Sequence, residues 1–125
     1  MSWSRDKGNM FNYLDLEPEL CDFVPVGPTS DLGTSGRLFV EIDGNPIVIF
    51  NIAGKYFAIG DLCSHDDGPL GDGDLQEFEV VCPRHGARFD VRTGKATALP
   101  AVVDIPAYPI RVVNEILEVG IPKDK

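Results

Sequence analysis

An all-β fold follows from three features of this sequence. Its 13 glycines and 10 prolines punctuate it throughout. No window of a dozen residues carries helical periodicity free of Gly or Pro. Between the breaks lie short β-branched and aromatic runs bounded by turn signals, the pattern of an all-β domain. Taken in order, Glu17 to Leu20 can form a helical turn, with Pro18 tolerated at its start. Arg37 to Ile42 reads as a strand closed by Asp43-Gly44-Asn45. Ile47 to Ile52 is a second, closed by Ala53-Gly54-Lys55, and Tyr56 to Ile59 a third. Pairs such as Asp-Gly favour the tight turns that join antiparallel strands. Glu77 to Val81, Ala87 to Asp90, Arg111 to Val113 and Ile116 to Val119 continue the series. Asn114-Glu115 stands where a hairpin turn belongs, without the usual glycine.

The 125 residues correspond to one domain, expected over residues 17–125. Residues 1–16 read as a disordered or loosely attached lead-in. That lead-in has charge but no apolar run behind it, so it does not read as a signal peptide, and no twin-arginine motif is present. The longest apolar stretch, Ile47 to Phe50, is far below a membrane span. A cytoplasmic protein is expected. Acids outnumber bases 20 to 11, giving a net charge of −9. That balance excludes nucleic acid and anionic membranes as partners and permits a basic protein. Three cysteines make a poor disulfide framework.

Two segments break the strand pattern, Asp61 to Asp74 and Cys82 to Gly86. Each holds one Cys and one His, and these are the only histidines in the chain. The first pair is Cys63-Ser64-His65 and the second Cys82-Pro83-Arg84-His85, with 16 residues between His65 and Cys82. Any one of the four alone reads as a buried thiol or an ordinary surface histidine. Their joint clustering in two matched loops points to a metal. Two thiolates and two imidazoles suit tetrahedral zinc or iron. Structural zinc usually pairs like ligands within each knuckle, whereas each loop here offers one of each. A two-iron cluster fits better, with Cys63 and Cys82 on one iron and His65 and His85 on the other.

At this point the chain resembles the Rieske [2Fe–2S] proteins, above all the ferredoxins that feed ring-hydroxylating dioxygenases. The residues that carry the resemblance are Ile-Gly-Asp-Leu-Cys-Ser-His over 59–65 and Cys-Pro-Arg-His-Gly-Ala-Arg-Phe-Asp-Val-Arg-Thr-Gly over 82–94. Leu99-Pro100-Ala101 and Tyr108-Pro109-Ile110-Arg111-Val112 match the family's closing segments, so the similarity runs from about residue 22 to 119. The resemblance implies an antiparallel β-sandwich with a small cluster-binding subdomain at about residues 61–90, built from two loops. It implies one [2Fe–2S] cluster on Cys63, His65, Cys82 and His85, with the histidines at the solvent-facing tip. Pro83, Gly86, Phe89 and Pro100 are expected to support it.

The same resemblance implies a one-electron carrier rather than an enzyme. Its donor would be a flavin-containing, NAD(P)H-dependent ferredoxin reductase and its acceptor a Rieske-type oxygenase. Two imidazoles in place of two thiolates remove negative charge, so the potential lies above that of all-cysteine clusters. Respiratory Rieske proteins carry a further cysteine in each loop, and Gly68 and Arg84 stand in the similar positions here. Those proteins also offer Ser and Tyr hydroxyls to the cluster sulfurs, where this chain has Ala87 and Phe89. The expected potential is therefore in the low part of the family range. Arg84 reads as a solvated charge or a partner contact, and Cys21 as a spare thiol. The alternatives are a small subunit of an assimilatory nitrite reductase, an iron–sulfur redox sensor and a zinc-binding structural module.

Overall fold

The computed structural model describes Leu14 and residues 18–32, 36–63, 68–84, 86–99 and 103–123. The expected lead-in over 1–16 lies outside these, Leu14 excepted. A short 3-10 turn, Pro18–Leu20, occupies the expected helical turn. Eleven strands follow among the described residues: β1 Cys21–Pro28, β2 Arg37–Ile42, β3 Asn45–Ile52, β4 Lys55–Gly60, β5 Leu75–Gln76, β6 Glu79–Val81, β7 Arg88–Asp90, β8 Ala96–Ala98, β9 Ala107–Tyr108, β10 Ile110–Val113 and β11 Ile116–Pro122. A second 3-10 turn, Thr29–Asp31, follows β1. No helix among the described residues is long and apolar enough to cross a membrane.

The strands form three antiparallel sheets, ordered β1-β11-β10, β2-β3-β4-β9 and β5-β6-β7-β8. The second sheet is the middle layer. Successive side chains of a strand point to opposite faces, and β3 uses both. Val48 and Phe50 join one apolar cluster with Val80, Phe89 and Val91 of the third sheet's side. Ile47 and Ile49 join another with Leu117 and Val119 of the first sheet. All four β3 residues are fully buried, which explains why the longest apolar run of the chain is here. A strand covered on both faces reads as a continuous hydrophobic run.

Three two-residue hairpin turns have positive φ at both central residues: Asp43-Gly44 at 54° and 81°, Ala53-Gly54 at 55° and 86°, and Asn114-Glu115 at 52° and 66°. That geometry matches the twist of the flanking strands. The glycine-free turn is held from outside, because the Glu115 carbonyl accepts the Thr29 N–H at 2.9 Å. One expected strand is shortened. Glu77 sits at φ 57° in the turn between β5 and β6, so the run expected from Glu77 begins at Glu79. Ala87 likewise precedes β7 instead of opening it.

Strand β1 goes unread in the sequence because Pro25, Gly27 and Pro28 interrupt it. It is an edge strand whose register shifts between Pro25 and Gly27, and an edge with a bulge is where a sheet accepts proline. Strands β5, β8 and β9 are two or three residues long, too short for alternation to register. Of the segment matched at Leu99-Pro100-Ala101, Leu99 is an exposed turn residue and the other two lie outside the described residues.

Candidate metal centre

The two cysteines singled out by sequence come together between the middle and third sheets. Cys63 follows β4 by three residues, and Cys82 follows β6 directly. Both are buried, at 0% and 1% exposure, in the apolar cluster that also holds Leu70, Val80, Ala87, Phe89 and Ile105. Cys21, by contrast, is buried at the start of β1 and belongs to neither loop.

Each loop closes on its own cysteine. The Cys63 N–H donates to the Gly68 carbonyl at 2.8 Å. The Cys82 N–H donates to the Ala87 carbonyl at 2.7 Å, and the Gly86 N–H returns to the Cys82 carbonyl at 3.0 Å. These bonds satisfy backbone groups at the mouth of each turn, where the ladder of the sheet has ended. Gly86 has φ 78°, and a Cβ there would meet nothing within 4 Å. Its requirement is therefore the left-handed backbone, not crowding. Pro83 is exposed beside it. Phe89 is fully buried in β7 opposite Val80.

Two residues that the sequence did not single out fix the first loop. Asp61 Oδ1 accepts the N–H groups of Leu70 at 2.9 Å and Gly71 at 2.6 Å. Arg37, at the start of β2, donates from Nη1 to the carbonyls of Gly71 at 2.5 Å and Gly73 at 2.7 Å. Its guanidinium also lies 5.2 Å from the centroid of the Phe50 ring. Asp61 stands two residues before Cys63, a proximity that could have flagged it. Arg37 lies 26 residues before Cys63, and only the fold brings it near. A Cβ on Gly73 would stand 1.9 Å from the Val81 carbonyl oxygen, so the first loop lies directly against β6. An open groove of about 400 Å³ beside Cys82 is lined by Asp72, Gly73, Asp74, Val81, Pro83 and Gly86.

His65, His85 and Pro100 lie outside the described residues. Among the described residues no three His, Cys, Asp or Glu side chains gather as a metal site. Two buried thiols in apolar surroundings, each opening a tight loop, are the type of donor that a soft-metal or iron–sulfur site uses. Arg84, read from sequence as a solvated charge or partner contact, is exposed but donates from Nη1 to the Pro69 carbonyl at 2.7 Å, tying one loop to the other.

The comparisons agree with this arrangement. The family model described as Rieske [2Fe-2S] domain matches residues 22–109. The ferredoxin component of the naphthalene 1,2-dioxygenase/salicylate 5-hydroxylase systems of Ralstonia sp is 39% identical over 75 residues, 60% of this chain and 72% of that protein. Among solved structures, the ferredoxin of carbazole 1,9a-dioxygenase from Nocardioides aromaticivorans IC177 superposes with a TM-score of 0.72 at 34% identity, covering 80% of this chain and 99% of that one. A chain of the complex of reduced oxygenase and oxidized ferredoxin in carbazole 1,9a-dioxygenase gives 0.74 at 25%, covering 82% and 96%. A nitrite reductase small subunit from Mycobacterium tuberculosis, at 0.73 and 18%, covers 83% and 98% and shares the fold alone. With the match spanning both cysteine loops and the sandwich around them, the chain belongs to the Rieske [2Fe–2S] family, among the ferredoxin components of dioxygenase systems.

Proposed function

We propose that residues 17–125 form one cytoplasmic domain that carries a single [2Fe–2S] cluster and relays one electron at a time. In this reading Cys63 and Cys82 hold one iron, and His65 and His85 the other. The donor is a flavin-containing, NAD(P)H-dependent ferredoxin reductase, and the acceptor a Rieske-type oxygenase. The observation that carries the reading is the convergence of Cys63 and Cys82, both buried in one apolar cluster at the heads of two facing loops. When bound, such a group takes up and releases one electron at a potential above that of all-cysteine clusters.

The chain's own residues do the rest. Val80, Ala87, Phe89 and Ile105 exclude water around the two thiols. Asp61 and Arg37 hold the first loop against the middle sheet. The solved complex of oxygenase and ferredoxin in carbazole 1,9a-dioxygenase, one chain of which is similar to this one, supports the acceptor half of the relay. The reductase half rests on the family resemblance, and an electron source in NAD(P)H favours the cytoplasm.

Iron and acid-labile sulfide in equal amounts, without zinc, are expected in the purified protein. EPR of the reduced protein should give the low average g value of mixed His/Cys ligation. His65→Ala and His85→Ala should each abolish that signal, and its survival would falsify the ligand assignment. Electron transfer from reductase to oxygenase should fail in the absence of this chain.

A further inference from the structure

The geometry points to Arg84 as a clasp that positions the two cysteine loops relative to each other. The inference rests on the reading that both loops serve one bound group. Arg84 lies two residues after Cys82, on the exposed turn of the second loop. Its Nη1 reaches the Pro69 carbonyl of the first loop, 15 residues earlier, at 2.7 Å. The guanidinium lies along the backbone of Gly68. A Cβ at that glycine would stand 2.7 Å from Arg84 Cζ and Nη2, and 3.0 Å from Nε.

The contact therefore needs two residues at once, a long planar cation at 84 and no side chain at 68. Gly68 does not adopt a left-handed backbone, so its small size is what the contact uses. The clasp also bears on the turn of Cys63, because the Gly68 carbonyl accepts the Cys63 N–H at 2.8 Å. Arg suits the task because its fork stays charged and donates in a fixed plane. Lys offers only a point charge on a shorter reach.

Two variants separate the clasp from a mere surface charge. Arg84→Gln removes the guanidinium. Gly68→Ala leaves it present but pushes it off the Gly68–Pro69 backbone, and the obstacle is the end of a flexible side chain, so the fold should persist. Hydrogen exchange over residues 61–71, followed by mass spectrometry on the cluster-loaded protein, should speed up about 3–10-fold in each variant, the effect of losing one hydrogen bond. Loss of visible absorption under a chelator should speed up in parallel. The double variant should be no faster than either single one, because both break the same contact. Arg84→Lys should restore part of the protection. Wild-type exchange in Arg84→Gln, or effects that simply add in the double variant, would overturn the clasp. If the wild-type protein carries no iron–sulfur absorption, the proposed function fails instead, and the same exchange comparison on the protein as purified still decides the clasp.

Discussion

At the scale of single residues, Ala87 and Phe89 set what the two thiols can feel. Both are fully buried in the cluster that holds Cys63 and Cys82, and neither side chain carries a hydrogen-bond donor. Donors to cluster sulfur favour the reduced state, so a cluster held here should have a low potential for the family. A redox titration should place the midpoint nearer −150 than +300 mV, the approximate bounds of the family. Ala87→Ser should raise it. A hydrogen bond with a net worth of about 1 kcal/mol corresponds to about 40 mV for one electron. Cys21 gives a second prediction. Burial first, and Asp22 second, push its thiol above the ordinary value of 9.0, with Lys123 opposing. The folded chain then holds this proton more tightly than the unfolded chain, so stability is present below pH 9.0 and declines as pH rises past it. Urea unfolding should show this alkaline loss in the wild type and less of it in Cys21→Ala. Equal pH slopes would remove Cys21 from the account.

At the scale of elements, the loop carrying Cys63 depends on the sheets beside it. Arg37 bridges from β2 to the carbonyls of Gly71 and Gly73, and Asp61 collects the N–H groups of Leu70 and Gly71. Arg37→Met leaves both carbonyls without that charged donor and should destabilise the protein by about 1–3 kcal/mol. Thermal melting measures the loss, and an unchanged midpoint would show the bridge to be inert. Gly73→Ala should be more severe, since its Cβ would meet backbone at Val81 that cannot swing aside. The second loop needs less support, because it is a hairpin tip closed by Cys82 and Ala87 across the mouth of β6 and β7. This difference follows from topology. A turn between paired strands is fixed by the strands, whereas a longer connection between sheets needs side-chain anchors.

At the scale of the whole molecule, the net charge of −9 makes a kinetic claim. Long-range attraction to a basic docking face speeds encounter and is screened by salt. Stopped-flow reduction of the protein by the proposed reductase, and its oxidation by the proposed oxygenase, should slow as ionic strength rises. Rates indifferent to salt would leave the acidic surface a solubility feature only. The groove beside Cys82 is lined by Asp72 and Asp74, so part of that charge lies beside the second cysteine loop.

Much of this was legible in the sequence, for stated physical reasons. Short β-branched and aromatic runs and turn chemistry are local, so β2, β3, β4, β10 and β11 could be read directly. Paired Cys and His at fixed spacing are also local, and they named Cys63, His65, Cys82 and His85 as candidates. Strand β1 was hidden because proline and glycine signal a break unless the strand is known to lie on an edge. Arg37 and Arg84 were hidden for another reason. A charged residue in sequence looks the same whether it is solvated or reaching a carbonyl on a distant loop. The sequence by itself determined the strand runs and the turns between them, the candidate donor atoms and the sign of the net charge. Only the tertiary structure decided that β3 is covered on both faces, that the two cysteines share one buried cluster, and that Arg84 crosses between their loops. Those are properties of distance between segments far apart in the chain, which no local pattern encodes.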